Sequence, residues 1–381
     1  MTSQVTIHEK KIKTWEVPRH RVGLDVRMLQ HSGIGTYLRG LLAGFETLSL
    51  KKELALFGPD EKGRAFFSAP IYSVREQLQY PARVRQCLLW HAPHYNVPLW
   101  KGKTKLVVTI HDIIHWIFRE QFLTPLQTAY AGFMLRRAIV SADHIIAVSH
   151  HTKNDLIEHF RAPEEKITVI HEGVGENHKE LPPSELKSAF EKIRTKYGLP
   201  EDFFLYVGLM KPHKNVLMLM KIFRKLKEEG KVRSSLVLIG RKDKKYPRGY
   251  EELSALSSTK DIIHLSTIDP DELKVFYNQA LALIHPSLYE GFGLTLLEAM
   301  RSGTPVLTTH ASSIPEVVGD AALRVNATDE AAMRDAIIRL DQDGSLRASL
   351  REKGLARAET FSWNETAAKT AVVYEKVLAE T

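Results

Sequence analysis

Cysteine is nearly missing from this chain. Its 381 residues contain one, Cys87, which excludes an intramolecular disulfide framework and fits a reducing compartment. Long apolar runs are missing as well. Nowhere do about 18 consecutive apolar residues occur, the length a spanning helix needs, and the first twenty residues hold no apolar stretch of the kind a secretory signal carries. The expectation is a cytoplasmic protein, or one resting on the inner face of a membrane. Tandem repeats, low-complexity tracts, arginine-rich segments and zinc-ligand spacings are also lacking, so nucleic acid is not an expected partner. No Asp-x-Asp motif is placed to carry a divalent cation, and neither a metal nor a cofactor is expected.

What is present is the composition of an ordinary folded protein, with 44% hydrophobic and 26% charged residues. At this length the chain exceeds one ordinary core and suits two domains. The net charge of +8 is uneven: residues 1–180 carry 24 Lys and Arg against 18 Asp and Glu, with 13 of the 17 histidines. A basic first half admits a phosphorylated ligand or an anionic membrane surface, and equally a solvated surface with no partner.

Short β-branched runs alternate with amphipathic stretches, the pattern of parallel α/β sheets. In the first half the expected strands are Arg21–Met28, Lys105–Ile110, His144–Ser149 and Lys166–Ile170. A glycine turn at His31–Gly35 leads into a helix, and residues 151–159 read as another, with Thr152 or Asn154 as cap. After His178 a polar, proline-bearing connector with one helix precedes a second series of strands at 203–208, 235–240, 262–266, 280–285 and 305–309. Two such series imply an N-terminal domain over 1–180 and a C-terminal domain over 181–362, facing each other across a cleft. The amphipathic segment 363–381 needs a partner for its apolar face.

Ligands of parallel sheets bind beyond the carboxyl ends of the strands. The strongest candidate there is the stretch from His285 to Met300. A strand ends at His285, a loop carries Glu290, and Gly291-Phe292-Gly293 permits close backbone approach before a helix starts near Leu294. The free amides of that helix start suit a diphosphate. Glu298 lies eight residues after Glu290, and carboxylates beside an anion site suit sugar hydroxyls better than phosphate. A second candidate follows Gly208, where Lys211, His213 and Lys214 line a turn that suits a leaving diphosphate. A third is Gly33-Ile34-Gly35, whose spacing is not that of a dinucleotide fingerprint. His111 ends a strand facing the cleft, where it either hydrogen-bonds a sugar hydroxyl or is a structural histidine paired with Asp112.

Taken in order, these residues resemble the retaining glycosyltransferases of family 4 and their GT-B fold of two Rossmann-like domains. The resemblance rests on the E-x7-E pair Glu290 and Glu298, on Arg301–Val306 and Ser312–Val317, on Gly33–Tyr37, on His111–Ile114, and on Val148-Ser149 with Val169–Val174. It implies that Glu290 meets the donor sugar's hydroxyls, Glu298 the ribose, and the amides of Gly291 to Leu294 the diphosphate. Lys214 would be the counter-charge and His111 would lie at the sugar and acceptor side. The last helix would cross back to the first domain. Transfer would proceed with retention and without a metal, through front-face displacement. The family commonly places an arginine just before this lysine. Here His213 stands there, with Lys211 or Arg241 as substitutes.

The patterns Val22–Arg27, His111–Ile114 and Lys211–Asn215 look most like bacterial mannosyl- and rhamnosyltransferases of polysaccharide assembly. They favour GDP-mannose over UDP-glucose-type donors. A glycan or lipid-linked acceptor follows, and the latter would suit a basic domain on an anionic membrane. A nucleotide-sugar epimerase and a non-catalytic nucleotide-sugar-binding protein are the readings from other classes.

Overall fold

The computed structural model describes residues 20–59, 65–243, 247–256 and 261–380; the first nineteen residues of the expected N-terminal domain and Thr381 lie outside it. The N-terminal sheet contains β1 (His20–Asp25), β2 (Leu54–Gly58), β3 (Ala65–Phe66), β4 (Cys87–Ala92), β5 (Lys105–Ile110), β6 (His144–Ala147) and β7 (Ile167–Val169). The C-terminal sheet contains β8 (Phe203–Val207), β9 (Ser235–Ile239), β10 (Ile262–Leu265), β11 (Ala282–Ile284), β12 (Val306–Thr309) and β13 (Leu323–Val325). Their spatial orders are β3-β2-β1-β4-β5-β6-β7 and β10-β9-β8-β11-β12-β13, and every pairing is parallel. Both sheets are doubly wound, as the alternating pattern predicts. In the second sheet the order reverses between β8 and β11, and a crevice opens at such a switch point.

The helices that matter below are α1 (Ile34–Thr47), α2 (Val74–Val84), α3 (Pro125–Ser141), α4 (His150–Phe160), α5 (Pro183–Tyr197), α6 (Val216–Glu228), α7 (Pro270–Gln279), α8 (Leu294–Arg301), α9 (Ile314–Val318) and α10 (Trp363–Ala379). No helix among the described residues is long and apolar enough to cross a membrane.

Local chemistry moves several expected boundaries. The first strand stops at Asp25 because its carboxylate turns the chain, accepting the Arg27 amide at 3.1 Å and its guanidinium at 2.9 Å. Helix α4 starts one residue early, so its cap is neither Thr152 nor Asn154. Ser149 is extended and its Oγ accepts from the Thr152 amide at 3.0 Å.

Helix α10 returns to the N-terminal domain and packs on α1, joining Tyr37, Leu38 and Phe45 to Trp363, Val373 and Tyr374 in one buried cluster. The fit demands missing side chains. A Cβ on Gly40 would stand 2.1 Å from the Trp363 ring, one on Gly44 2.3 Å from the Trp363 carbonyl, and one on Gly173 2.3 Å from its amide. Tyr374 also extends a buried polar chain. Its hydroxyl lies 2.6 Å from His91 Nδ1, whose Nε2 lies 2.8 Å from Thr109 Oγ1, which in turn meets the Tyr37 hydroxyl at 3.0 Å.

Gly44→Ala tests this seat through its sign. Inside an exposed helix the change stabilises by roughly 1 kcal/mol. Here the obstructing atom is backbone, so a loss of about 1–3 kcal/mol is expected. Urea denaturation measures it, and a stabilised variant would show that α10 does not seat on α1.

Candidate active site

The two loops flanking the switch point bring Lys214 and Glu290 together. Lys214 closes a 3-10 turn (Pro212–Lys214) after β8, and Glu290 lies in the loop after β11. The Lys214 ammonium reaches both carboxylate oxygens of Glu290, at 2.6 and 2.7 Å. His285 Nε2, which also lies 3.0 Å from Ser287 Oγ, meets Glu290 Oε1 at 2.6 Å. The loop is pinned from below, where the Glu290 amide donates to Ser312 Oγ at 2.7 Å. Ser313 Oγ donates to the Glu290 and Phe292 carbonyls at 2.9 and 3.0 Å. Burial disfavours the ionised form of Glu290, but Lys214 and His285 outweigh it and hold the carboxyl well below its usual range. Glu290 is therefore a fixed acceptor, and an ammonium with three N–H groups stands beside it.

Helix α8 begins immediately after this loop. Gly293 precedes it with φ 109°, and no side chain caps it. The Leu296 amide donates to the Gly293 carbonyl at 2.9 Å, which leaves those of Leu294 and Thr295 for an anion, and the helix dipole favours one there. Eight residues beyond Glu290, the Glu298 Oε2 accepts from the Tyr277 hydroxyl on α7 at 2.9 Å, and Oε1 lies 3.7 Å from His178 Nε2 in the interdomain connector. Phe292 turns its ring into the core, where it stacks on His171 at 5.8 Å between centroids. Only its backbone faces the loop. Leu294 is half-buried and packs against the hydrophobic cores of both domains.

His213 is buried at 5% exposure, with a ring centroid 5.5 Å from that of Phe122, and its carbonyl accepts from the Leu288 amide at 2.7 Å. Burial, then the neighbouring Lys214, pushes its pKa down to about 3. It brings no charge to the position where the family commonly has arginine. Lys211 and Arg241 are the cations at this edge: Lys211 opens the 3-10 turn, and the Arg241 carbonyl accepts from the Met210 amide at 3.0 Å. Gly208 sits where the ends of β8 and β9 converge, its carbonyl 1.9 Å from where a Cβ on Gly240 would stand.

From the other side, β5 delivers His111. Its Nδ1 lies 2.9 Å from Glu172 Oε1 and its Nε2 3.1 Å from the Pro93 carbonyl. The pairing with Asp112 considered above does not occur, because Asp112 turns back to accept from the Ile114 amide at 2.9 Å. Glu172, 3% exposed just beyond β7, lies within the Val169–Val174 motif, which assigned it no role of its own. Its signal was its place at the carboxyl end of a strand in the same sheet as β5. Gly33 ends its turn with φ 71° and open space around it, whereas Gly35 is pressed against the Leu29 carbonyl. Of this pair, Gly33 has room to face a ligand.

The domains meet along the inner edge of this site. A Cβ on Gly291 would lie 2.1 Å from the His111 carbonyl, and the Gly291 carbonyl accepts from Ser149 Oγ at 2.7 Å. Tyr289 donates to Asp155. Glu316 on α9 accepts from the His150 amide at 2.9 Å and from His171 Nε2 at 2.5 Å. His150, His171 and Glu316 also form a group whose ligating atoms lie within 4.8 Å of one another. Those residues are not the ones around Lys214 and Glu290.

Three histidines here are kept neutral by burial, His91, His94 and His213, each pushed to about 3. Their folded pKa values lie below the ordinary 6.5, so the unfolded chain takes up protons first as pH falls. Their contribution to stability is whole above about pH 6.5 and is lost progressively down to about pH 3. Each costs up to about 1.4 kcal/mol per pH unit in that window. Urea midpoints at pH 7.5, 6 and 5 should fall in step, and a midpoint unchanged to pH 5 would contradict the buried neutral state.

Comparison with known proteins places the chain in a family. The model of "Glycosyl transferases group 1" matches residues 189–357 and that of "Glycosyltransferase Family 4" matches residues 49–177. O-antigen chain mannosyltransferase B of Escherichia coli is 30% identical over 293 residues, 75% of this chain and 74% of that protein. O-antigen chain mannosyltransferase RfbU of Salmonella typhimurium is 30% identical over 250 residues, 65% and 64% of the two chains. The chain spans only 34% of the longer serotype-specific mannosyltransferase WbdA of Escherichia coli. Among solved structures, a glycosyltransferase from Rickettsia africae superposes with TM-score 0.72 at 18% identity, covering 95% of this chain and all of that one. HepE of Anabaena, solved with UDP and glucose, superposes with TM-score 0.75 at 16% identity over 94% and 100% of the two chains. These two likenesses establish the fold.

Proposed function

The chain belongs to the group 1 and family 4 glycosyltransferases and is a hexosyltransferase; from that premise, we propose that it moves mannose from GDP-mannose to a glycan or lipid-linked acceptor, with retention and without a metal. The observation that carries the reading is the buried Lys214–Glu290–His285 cluster beside the uncapped start of α8. An ionised carboxylate only accepts hydrogen bonds, so its natural ligands are the sugar's hydroxyls. The diphosphate goes to the ammonium and the amides at the start of α8. The mannose assignment is supported by the two O-antigen mannosyltransferases, which are named for that sugar, and GDP is the nucleotide that the sequence patterns favour.

In the proposed step the bond from the anomeric carbon to the diphosphate oxygen breaks, and the acceptor oxygen bonds that carbon on the same face. The acceptor's proton passes to the leaving phosphate. Lys214 and the α8 amides stabilise the charge that develops there. His111, held by Glu172, lies at the sugar and acceptor side, where its Nε2 would exchange the Pro93 carbonyl for a hydroxyl, and Glu298 holds the ribose. Membership in the transferase family also speaks against the epimerase and the idle-binder readings.

Because Glu290 also holds Lys214, its substitution by alanine releases a cation. Glu290→Gln keeps the size and is the cleaner test. It is expected to lower kcat about tenfold to a hundredfold with GDP affinity retained, whereas Glu298→Ala mainly raises KM for the donor by a similar factor. Steady-state kinetics and GDP binding separate the two, and the reverse pattern would interchange the roles.

Donor choice and metal use are checked together. At a hundredfold excess over its Kd, GDP-mannose should stabilise the fold by roughly 2.7 kcal/mol, more than UDP-glucose at the same concentration. Turnover should survive EDTA. Equal stabilisation by the two donors would remove GDP-mannose, and loss of activity restored by magnesium would remove the metal-free step.

A further inference from the structure

The described residues include twelve exposed large apolar side chains, and nine of them fall on or between α2 and α3 of the N-terminal domain. Helix α2 turns Val74 and Leu78, 79% and 76% exposed, away from its buried Glu76, Tyr80 and Val84. The loop after β4 adds Leu99 and Trp100, the latter 76% exposed. Helix α3 adds Leu126, Phe133 and Val140, each 56–81% exposed, at intervals of seven residues and so on one stripe. Its opposite side, with Met134, Leu135 and Ala138, is buried. A helix that is apolar on both sides needs a cover on each.

These groups form one continuous face. The Gln77 side chain donates to the Val97 carbonyl at 3.3 Å and accepts from the Leu99 amide at 2.9 Å, tying α2 to the loop. Arg137 on α3 donates to the Leu99 carbonyl. The rings of Tyr72, just before α2, and Tyr130 of α3 lie 6.3 Å apart and close the gap. Alongside α3 a cavity of about 770 Å³ is lined by Trp116, Leu123 and Phe133 together with Arg119 and Arg136.

Cations prevail on this face, although the exposed Glu120 also lines the cavity beside Arg119 and Arg136. Helix α3 contains Arg136 and Arg137 and no acidic residue, and the one acid of α2, Glu76, is buried while Arg75 is exposed. Lys103 follows Trp100 closely, and Lys101 between them pairs with Asp143. Apolar and tryptophan side chains interleaved with arginine and lysine match the boundary between acyl chains and anionic headgroups. A second copy fits poorly, since a symmetric contact would set the cationic rim against itself.

We propose that this face docks on an anionic lipid surface, with Trp100, Leu126 and Phe133 entering the headgroup boundary and Arg75, Lys103 and Arg136 meeting lipid phosphates. The face runs up to the cleft. The Tyr72 hydroxyl lies 3.3 Å from His94 Nε2, and the preceding Pro93 carbonyl is a partner of His111. Docking thus sets the acceptor side of the site at the membrane, and its use in delivering a lipid-linked acceptor rests on the function proposed above.

The test sediments the full chain with phosphatidylcholine vesicles made with and without phosphatidylglycerol. Binding should require the anionic lipid and weaken as salt rises. Leu126→Ser with Phe133→Ser should weaken it at least tenfold and Arg136→Glu at least fivefold, with melting temperature and turnover on a water-soluble acceptor unchanged. No binding by the parent chain, or equal binding by the variants, overturns the proposal. So does a concentration-dependent dimer that these substitutions dissolve, which assigns the face to a second copy. Turnover on the soluble acceptor reads the proposed function separately, so its failure leaves the vesicle result standing.

Discussion

The seat of Trp363 against Gly40, Gly44 and Gly173 is the constraint on which the rest depends. It belongs at once to α1, to the segment after β7 and to the helix that follows the C-terminal domain, so it fixes where the chain crosses between domains. Three positions without a Cβ let an indole and its backbone approach the way a smaller side chain would. From this seat the buried chain Tyr374–His91–Thr109–Tyr37 runs inward, and the Tyr37 ring meets the His111 ring edge-on at 4.8 Å. His111 is thereby held from three directions, by Tyr37, by Glu172 and by the Pro93 carbonyl. These contacts fix the orientation of the ring before any ligand arrives.

The opposing half of the cleft is organised by electrostatics. Glu290 is buried at 8% exposure, and a buried carboxylate without partners would be protonated. Lys214 and His285 keep it ionised, and it in turn localises Lys214, so each fixes the other. The arrangement has a chemical direction, with an acceptor for hydroxyls on one side and a donor cation with helix amides on the other. His213, neutral and packed near Phe118 and Phe122, adds shape to that edge rather than charge.

Much of this was legible in the sequence because parallel sheets write simple patterns. Strands buried on both faces, such as Lys105–Ile110 and Phe203–Val207, appear as short apolar runs, and the glutamates eight apart flank the glycine turn that opens α8. What escaped has physical causes. Strand β4 reads CLLWHA and carries a buried histidine, His91, whose Nδ1 is satisfied by Tyr374, nearly the whole chain away in sequence. Helix α3 lacks a one-sided pattern because both its sides are apolar, which removed the periodicity that marks a surface helix. Glu172 meets His111 from the end of β7, two places from β5 in the sheet, a pairing that sequence spacing does not encode. The role of Ser149 as cap, instead of Thr152 or Asn154, turned on a single residue at the helix boundary, where sequence patterns are weakest.

The two ends of the N-terminal domain are mechanically one piece, and a buried ionic network makes them so. Arg27, beside the carboxyl end of β1, pairs with Asp25 at 2.5 Å and with Glu76 of α2 at 2.7 Å, both inside the protein. Glu76 also accepts from Asn96 Nδ2 at 2.6 Å, and Asn96 Oδ1 accepts from the Tyr130 hydroxyl of α3 at 3.2 Å. The same carboxylate accepts from the amide of Tyr72 at 2.9 Å and holds that residue at φ 67°, a conformation a tyrosine seldom adopts unaided. Breaking one partner of a buried ionic group leaves the other charge unpaired, which costs several kcal/mol. The apolar face of α2 and α3 therefore has little freedom to shift against the β1 and β4 ends that border His111. Whatever orients that face orients the acceptor side of the cleft with it, and coupling through a rigid body requires no conformational change to carry it.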